Sequence, residues 1–213
     1  MNSWVLVPVK PFKKGKSRLR DCFSRQDLYA LNYNLFVQTI RNIKEATCFD
    51  EVLVVSRDRH ALAVAEGEGV CICTENRPSS LNQAVRQGME FIEANGAGSV
   101  LVLPTDLPRL RPEAIISLKN EIPEQGVLIV PDHCYKGTNA LGMSRPGLIQ
   151  ASFGNNSFHQ HCLQAQEKDL SLRVYYHYAI MQDLDTKPDL HLIRQHHHFL
   201  MPITREERTF THV

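Results

Sequence analysis

The sequence contains no Cys-x-x-Cys pair, no apolar run near the ~18 residues of a membrane span, and no marked excess of either charge sign. Its cysteines (Cys22, Cys48, Cys71, Cys73, Cys134, Cys162) are scattered. They read as reduced, partly buried thiols of a cytoplasmic protein, with no disulfide framework expected. A formal net charge of +1 gives no general attraction to nucleic acid or to a membrane, so any basic surface must be local. Met1-Asn2-Ser3-Trp4 has neither a basic nor a long apolar region, and no secretory signal is expected there. Repeats, linkers and low-complexity tracts are also missing. The expectation is one domain over residues 1–195, followed by an arm over 196–213 that opens on His196-His197-His198.

What is present is ordinary globular material, 43% apolar and 22% charged, long enough for one sizeable core. Short apolar runs at Val5–Val9, Glu51–Ser56, Val70–Cys73, Val100–Leu103, Val127–Pro131 and Leu172–His177 read as strands. Between them, helical spacing predicts a helix after Ser24 through Ile43, an alanine-rich helix over 59–66, and a helix from Ser80 to about Asn95. Further helices are expected from Pro112 to Glu121, from the Phe153–Ser157 loop through about Glu167, and from Pro188 onward. Lys136–Met143 reads as a turn into a mixed strand. This alternation implies βαβ units in a three-layer α/β fold with a mostly parallel sheet and right-handed crossovers.

The stretch Val100-Leu101-Val102-Leu103-Pro104-Thr105-Asp106-Leu107-Pro108 stands out. A buried strand ends in Pro-x-Asp-x-Pro, which continues neither strand nor helix. Asp106 is thereby held at the carboxyl end of an internal strand, where open α/β sheets bind ligands. It either holds a metal or substrate there or caps the following helix.

Lys10-Pro11-Phe12-Lys13-Lys14-Gly15-Lys16-Ser17-Arg18 packs five cations into nine residues after the first strand. It is no P-loop, because the required first glycine is Lys10 and Pro11 removes a backbone donor. A flexible cationic loop remains, suited to a polyphosphate that Lys10, Lys16 and Arg18 neutralise as it leaves. Lys13 and Lys14 read as solvated.

Asp183-Leu184-Asp185-Thr186 repeats the placement of Asp106, and two carboxylates at neighbouring strand ends suit Mg²⁺. By its apolar neighbours Asp185, rather than Asp183, is the expected ligand, with one of the two capping the Pro188 helix. Thr138, Asn139, Gly154 and Ser157 offer small donors and bare backbone for a phosphate or carboxylate. Asn82, near a helix start, either contacts a base or caps. His159, His161 and Cys162 lack zinc spacing, since His-x-His faces opposite sides of a helix.

Six segments together resemble the 2-phospho-L-lactate guanylyltransferase family, in its order and over roughly residues 4 to 190. They are Val7–Leu19, Ser80–Ala84, Leu103–Pro108, Gly137–Leu141, Phe153–Phe158 with His161, and Asp183–Thr186. Ser80 stands where glycine is common in the family. The resemblance implies a MobA-like nucleotidyltransferase of the nucleotide-diphospho-sugar transferase type, often a homodimer. It implies joining of GTP and a small phosphorylated acid, with Mg²⁺ and release of pyrophosphate, in making coenzyme F-420. That acid is 2-phospho-L-lactate, phosphoenolpyruvate or 3-phospho-D-glycerate. Carried over, Asp106 and Asp185 hold metal, and Lys10, Lys16 and Arg18 hold the triphosphate, with Lys16, Arg18 and Asp106 catalytic. Leu81 and Asn82 lie by the nucleoside, and Thr138, Gly154 and Ser157 hold the phospho-acid. The alternatives are a related enzyme for a sugar phosphate or molybdopterin, or a non-catalytic GTP-binding protein. The former commonly begin with Leu-Ala-Gly-Gly, where this chain has Val9-Lys10-Pro11.

Overall fold

A computed structural model describes residues 2–76 and 80–196, so most of the expected C-terminal arm lies outside the described residues. The strands β1 (Asn2–Val9), β2 (Glu51–Ser56), β3 (Cys71–Thr74), β4 (Ala97–Val102), β5 (Gly126–Pro131), β6 (Thr138–Met143) and β7 (Ser171–Val174) form one sheet. Its order is β3-β2-β1-β4-β6-β5-β7. The helices are α1 (Arg25–Ala46), α2 (Arg59–Gly67), α3 (Leu81–Ala94), α4 (Pro112–Glu121), α5 (Ser157–Glu167), α6 (Tyr178–Met181) and α7 (Lys187–His196).

Side chains alternate across a strand, and β1 shows why its run is apolar throughout. Val5, Val7 and Val9 face a core shared with Phe36 and Ile40 of α1, Ala61 of α2 and Ile115 of α4. Trp4 and Leu6 face the opposite core, with Val85 and Ile92 of α3 and Ala165 of α5. The sheet is thus covered on both faces, which gives the three layers.

Most pairings are parallel, but β6 runs antiparallel to both β4 and β5. Only residues 132–137 separate β5 from β6, too few for a parallel crossover, so the chain must turn straight back. The expected strand over 172–177 is shorter, ending at Val174, and the brief α6 follows.

Capping is local and legible. Ser24 and Asp27 form a capping box at α1, and Ser80 with Gln83 forms one at α3. Neither Asp183 nor Asp185 caps α7. Thr186 and Asp189 do so reciprocally, the Asp189 carboxylate accepting from the Thr186 N–H and hydroxyl at 2.7 Å each.

A third, smaller cluster positions the functional loops. Leu19 after the cationic segment, Leu28, Leu31 and Leu35 of α1, Leu184 and the α7 residues Leu190 and Ile193 pack together. The cationic segment is accordingly anchored rather than flexible. Phe12 is buried against Tyr29, Tyr33, Phe36 and His60, and Ser17–Leu19 closes a 3-10 turn. Helix α3 approaches β1 so closely that a Cβ on Gly88 would sit 2.4 Å from a Leu6 methyl and 2.9 Å from one of Val55. Gly88→Ala is therefore expected to lower stability by about 1–3 kcal/mol through overpacking. Urea unfolding measures this, and an unchanged midpoint would contradict the close packing.

Candidate active site

Strands β1 and β4 are parallel neighbours, so their carboxyl ends open side by side onto one cleft of about 780 Å³. Asp106 enters it from the Pro104–Pro108 turn after β4. The Asp183–Asp185 segment is tied to the same place because the Leu184 N–H donates to the Asp106 carbonyl at 2.9 Å. Leu184 is wholly buried in the third cluster. In this extended segment that leaves both neighbouring carboxylates on the opposite side, toward the cleft. Asp106, Asp183 and Asp185 each offer an oxygen within 4.8 Å of the others. Asp183, the carboxylate set aside in favour of Asp185, belongs to the group.

Lys16 lies among them. Its ammonium donates to Asp106 Oδ2 at 3.1 Å and to Asp185 Oδ1 at 2.9 Å, and its side chain is 6% exposed. Burial is the largest single influence and opposes the charge, yet the attraction of Asp106 and Asp185 outweighs it and holds the pKa above the ordinary lysine value. Burial opposes charge at Asp185 too, but Lys16 overcomes it and depresses that carboxyl. Asp183 has no such partner. Burial, then repulsion from Asp106, pushes it up to about 6, and an Asn139 amide bond only partly offsets this. Lys16 also holds a left-handed backbone, φ 54°, ψ 39°, a conformation worth roughly 1–2 kcal/mol of strain in a residue with a Cβ. Gly15 before it is packed on Asn32, whose amide donates to the Phe12 carbonyl at 2.8 Å.

This donor set tests the implied Mg²⁺. Three hard carboxylate oxygens, one of them destabilised as an anion by its neighbours, suit a divalent cation, and the residues fit the group. The ammonium expected on a triphosphate is instead held on the carboxylates, where it supplies part of the cationic charge they require. Lys10, Arg18 and Leu81 line the cleft as expected.

Thr138, Gly154 and Ser157 line the same cleft. Gly154 has φ 127°, a backbone that side chains rarely adopt. Ser157, the first residue of α5, is fully buried and its hydroxyl has no hydrogen-bond partner. Asn82 does not line the cleft. Its amide instead accepts from the Phe153 N–H at 2.7 Å and donates to the Phe153 carbonyl at 3.1 Å, so it holds the Gly154 loop from behind. His161, weighed in the sequence only as a zinc candidate and within a motif, is buried one turn along α5 from Ser157 and bonds Thr138.

The fold is shared with solved structures named as nucleotidyltransferases. A nucleotidyl transferase from Methanothermobacter thermautotrophicus superposes with a TM-score of 0.61 at 16% identity, over 92% of this chain and 97% of that one. The sequence model described as "Guanylyl transferase CofC like" matches residues 3–199, and the chain belongs to that family. The phosphoenolpyruvate guanylyltransferase of Sphaerobacter thermophilus is 30% identical over 196 residues, covering 92% of this chain and 94% of the relative. A 2-phospho-L-lactate guanylyltransferase of a Methanocaldococcus species is 29% identical over 87% of this chain and 78% of its own.

The raised Asp183 pKa means that ionising it costs stability as pH climbs from 3.8 to about 6, a cost absent below both values. Asp183→Asn removes it. In chelator-treated protein at pH 7 the variant should be about 1–2 kcal/mol more stable than wild type, less than the full shift because the side chain is partly solvated. The difference should vanish below about pH 3.8. Chemical denaturation at both pH values reads this, and equal stability at pH 7 would contradict the electrostatic account.

Proposed function

We propose that the protein transfers the guanylyl group of GTP to the phosphate of a small phosphorylated acid, releasing pyrophosphate, as a step toward coenzyme F-420. The observation that carries this reading is the make-up of one cleft. Three carboxylates with Lys16 line it together with the Thr138 and Ser157 hydroxyls and the bare backbone of Gly154.

The acid's phosphate oxygen is an anionic nucleophile, so no general base is required and no Ser–His or Cys–His pair is needed. It attacks the α-phosphorus of GTP. The new P–O bond forms as the bond to the bridging oxygen breaks, and that oxygen leaves with pyrophosphate. Asp106 and Asp185, with Asp183 beside them, would hold Mg²⁺, which supplies charge neutralisation at the phosphate oxygens. Lys10 and Arg18 line the cleft where the departing pyrophosphate needs cations, and Leu81 flanks the nucleoside. Thr138 and Ser157 offer hydroxyls to the phospho-acid, and Gly154 leaves room for it.

Two assays test the reading. Incubation with Mg²⁺, each of GTP, ATP and CTP, and each of 2-phospho-L-lactate, phosphoenolpyruvate and 3-phospho-D-glycerate should release pyrophosphate with GTP, and the product mass identifies the acid. Asp106→Asn should keep the wild-type circular dichroism but lose at least ~100-fold in turnover, the scale of losing a key electrostatic group. Near-normal pyrophosphate release by that variant would sink the assignment.

A further inference from the structure

We propose that His161 is the positioning residue of the phospho-acid pocket, fixing the Thr138 hydroxyl as a hydrogen-bond donor aimed at the bound acid. This rests on the function proposed above and adds a residue to it.

The Ser152 backbone N–H lies 3.0 Å from His161 Nε2, and a backbone amide only donates. Nε2 must therefore be the unprotonated nitrogen, and the proton of the neutral ring sits on Nδ1. Nδ1 lies 3.0 Å from Thr138 Oγ1, so it donates to that oxygen. The hydroxyl's own proton is left to point elsewhere, and it has no other hydrogen bond among the described residues.

Burial pushes the ring's pKa down to about 4, so it stays neutral wherever the enzyme works near pH 7. The ring is wholly buried and meets the edge of Phe153 at 5.2 Å, which fixes its plane. The loop that carries Ser152 does not depend on His161 alone, because Gln164 bonds Gln150 and Ser152, and Asn82 bonds Phe153.

Helix α5 makes this donor matter. Two of its first N–H groups are already taken, that of Ser157 by the Gly154 carbonyl and that of Phe158 by the Lys136 carbonyl. Besides backbone N–H groups of the Gly154 loop, an anion in this corner meets two hydroxyl donors, Ser157 being unpartnered and Thr138 fixed by the imidazole. A carboxylate or phosphate oxygen only accepts, so a hydroxyl already committed to donating binds it without reorienting.

The test uses His161→Phe, which keeps a ring but removes both nitrogens, His161→Asn, which restores an N–H donor near the Nδ1 position, and Thr138→Val. His161→Phe and Thr138→Val should each raise KM for the phospho-acid ~10–100-fold, the range for losing a hydrogen bond to a charged group, with KM for GTP unchanged. The double variant should be no worse than either single change, because both remove one donor. His161→Asn should recover most of the affinity for the acid. Long-range proton–nitrogen NMR spectra of the wild type should show the Nδ1–H tautomer. An Nε2–H tautomer, additive single effects, or equal losses toward GTP and acid would overturn the proposal. A wild type that releases no pyrophosphate with any acid would instead overturn the function reading, and the spectrum would still decide the tautomer.

Discussion

The ammonium of Lys16 between Asp106 and Asp185 is the contact on which the site depends. Three carboxylates within 4.8 Å would repel one another apart without a cation, and the ammonium lets two of them stay ionised. The protein accepts a left-handed lysine to put it there, and backbone strain of that kind persists only where surrounding structure holds it. Here the holding structure is Phe12 in its aromatic cage on one side and Leu19 in the third cluster on the other. A buried ion pair is weak evidence for stability in itself. Its value here is register, because it fixes the distance between the β1 and β4 ends and the segment before α7.

Small residues also line the cleft near α5. The carboxylates and Lys16 form one group, and Lys136, Phe153 and small residues with polar donors line the same cleft. Thr138, Gly154 and Ser157 supply them, and their supporting residues Asn82, Gln164 and His161 spend their polar groups on backbone or hydroxyl partners rather than on the cleft. Asn82 shows how a residue next to a ligand site serves it indirectly. It shapes the loop that shapes the pocket.

Much of this was legible in sequence because it is local. Short apolar runs placed the strands and period-3.6 spacing the helices, and Pro112 and Glu121 bounded α4 as expected. The direction of β6 follows from loop length rather than from its residues, which read as neither a fully buried nor an alternating strand. The two partners of Lys16 lie 90 and 169 residues away, and no spacing rule reaches that far. The place of this lysine on two carboxylates was therefore not legible in the cationic run around it. Asp183 did carry a usable signal. In Asp183-Leu184-Asp185 a buried leucine between two carboxylates sends both the same way, and alternation read strictly would have kept them together.

The third cluster has a dynamic consequence. It is small, sits apart from the two cores against the sheet, and joins Leu19, the first turns of α1, Leu184 and α7. Proteins open in cooperative units of unequal stability, and a unit with few apolar contacts opens more often than the whole. Opening this one would separate Lys16 from Asp185 while the sheet stayed paired. Amide exchange around Leu19 and Leu184 would then run faster than exchange in β1 and β4, and ligands that bridge the cleft would slow it by closing the unit from outside. Competence for chemistry would follow the population of that closed unit, which is a smaller free energy than the stability of the fold.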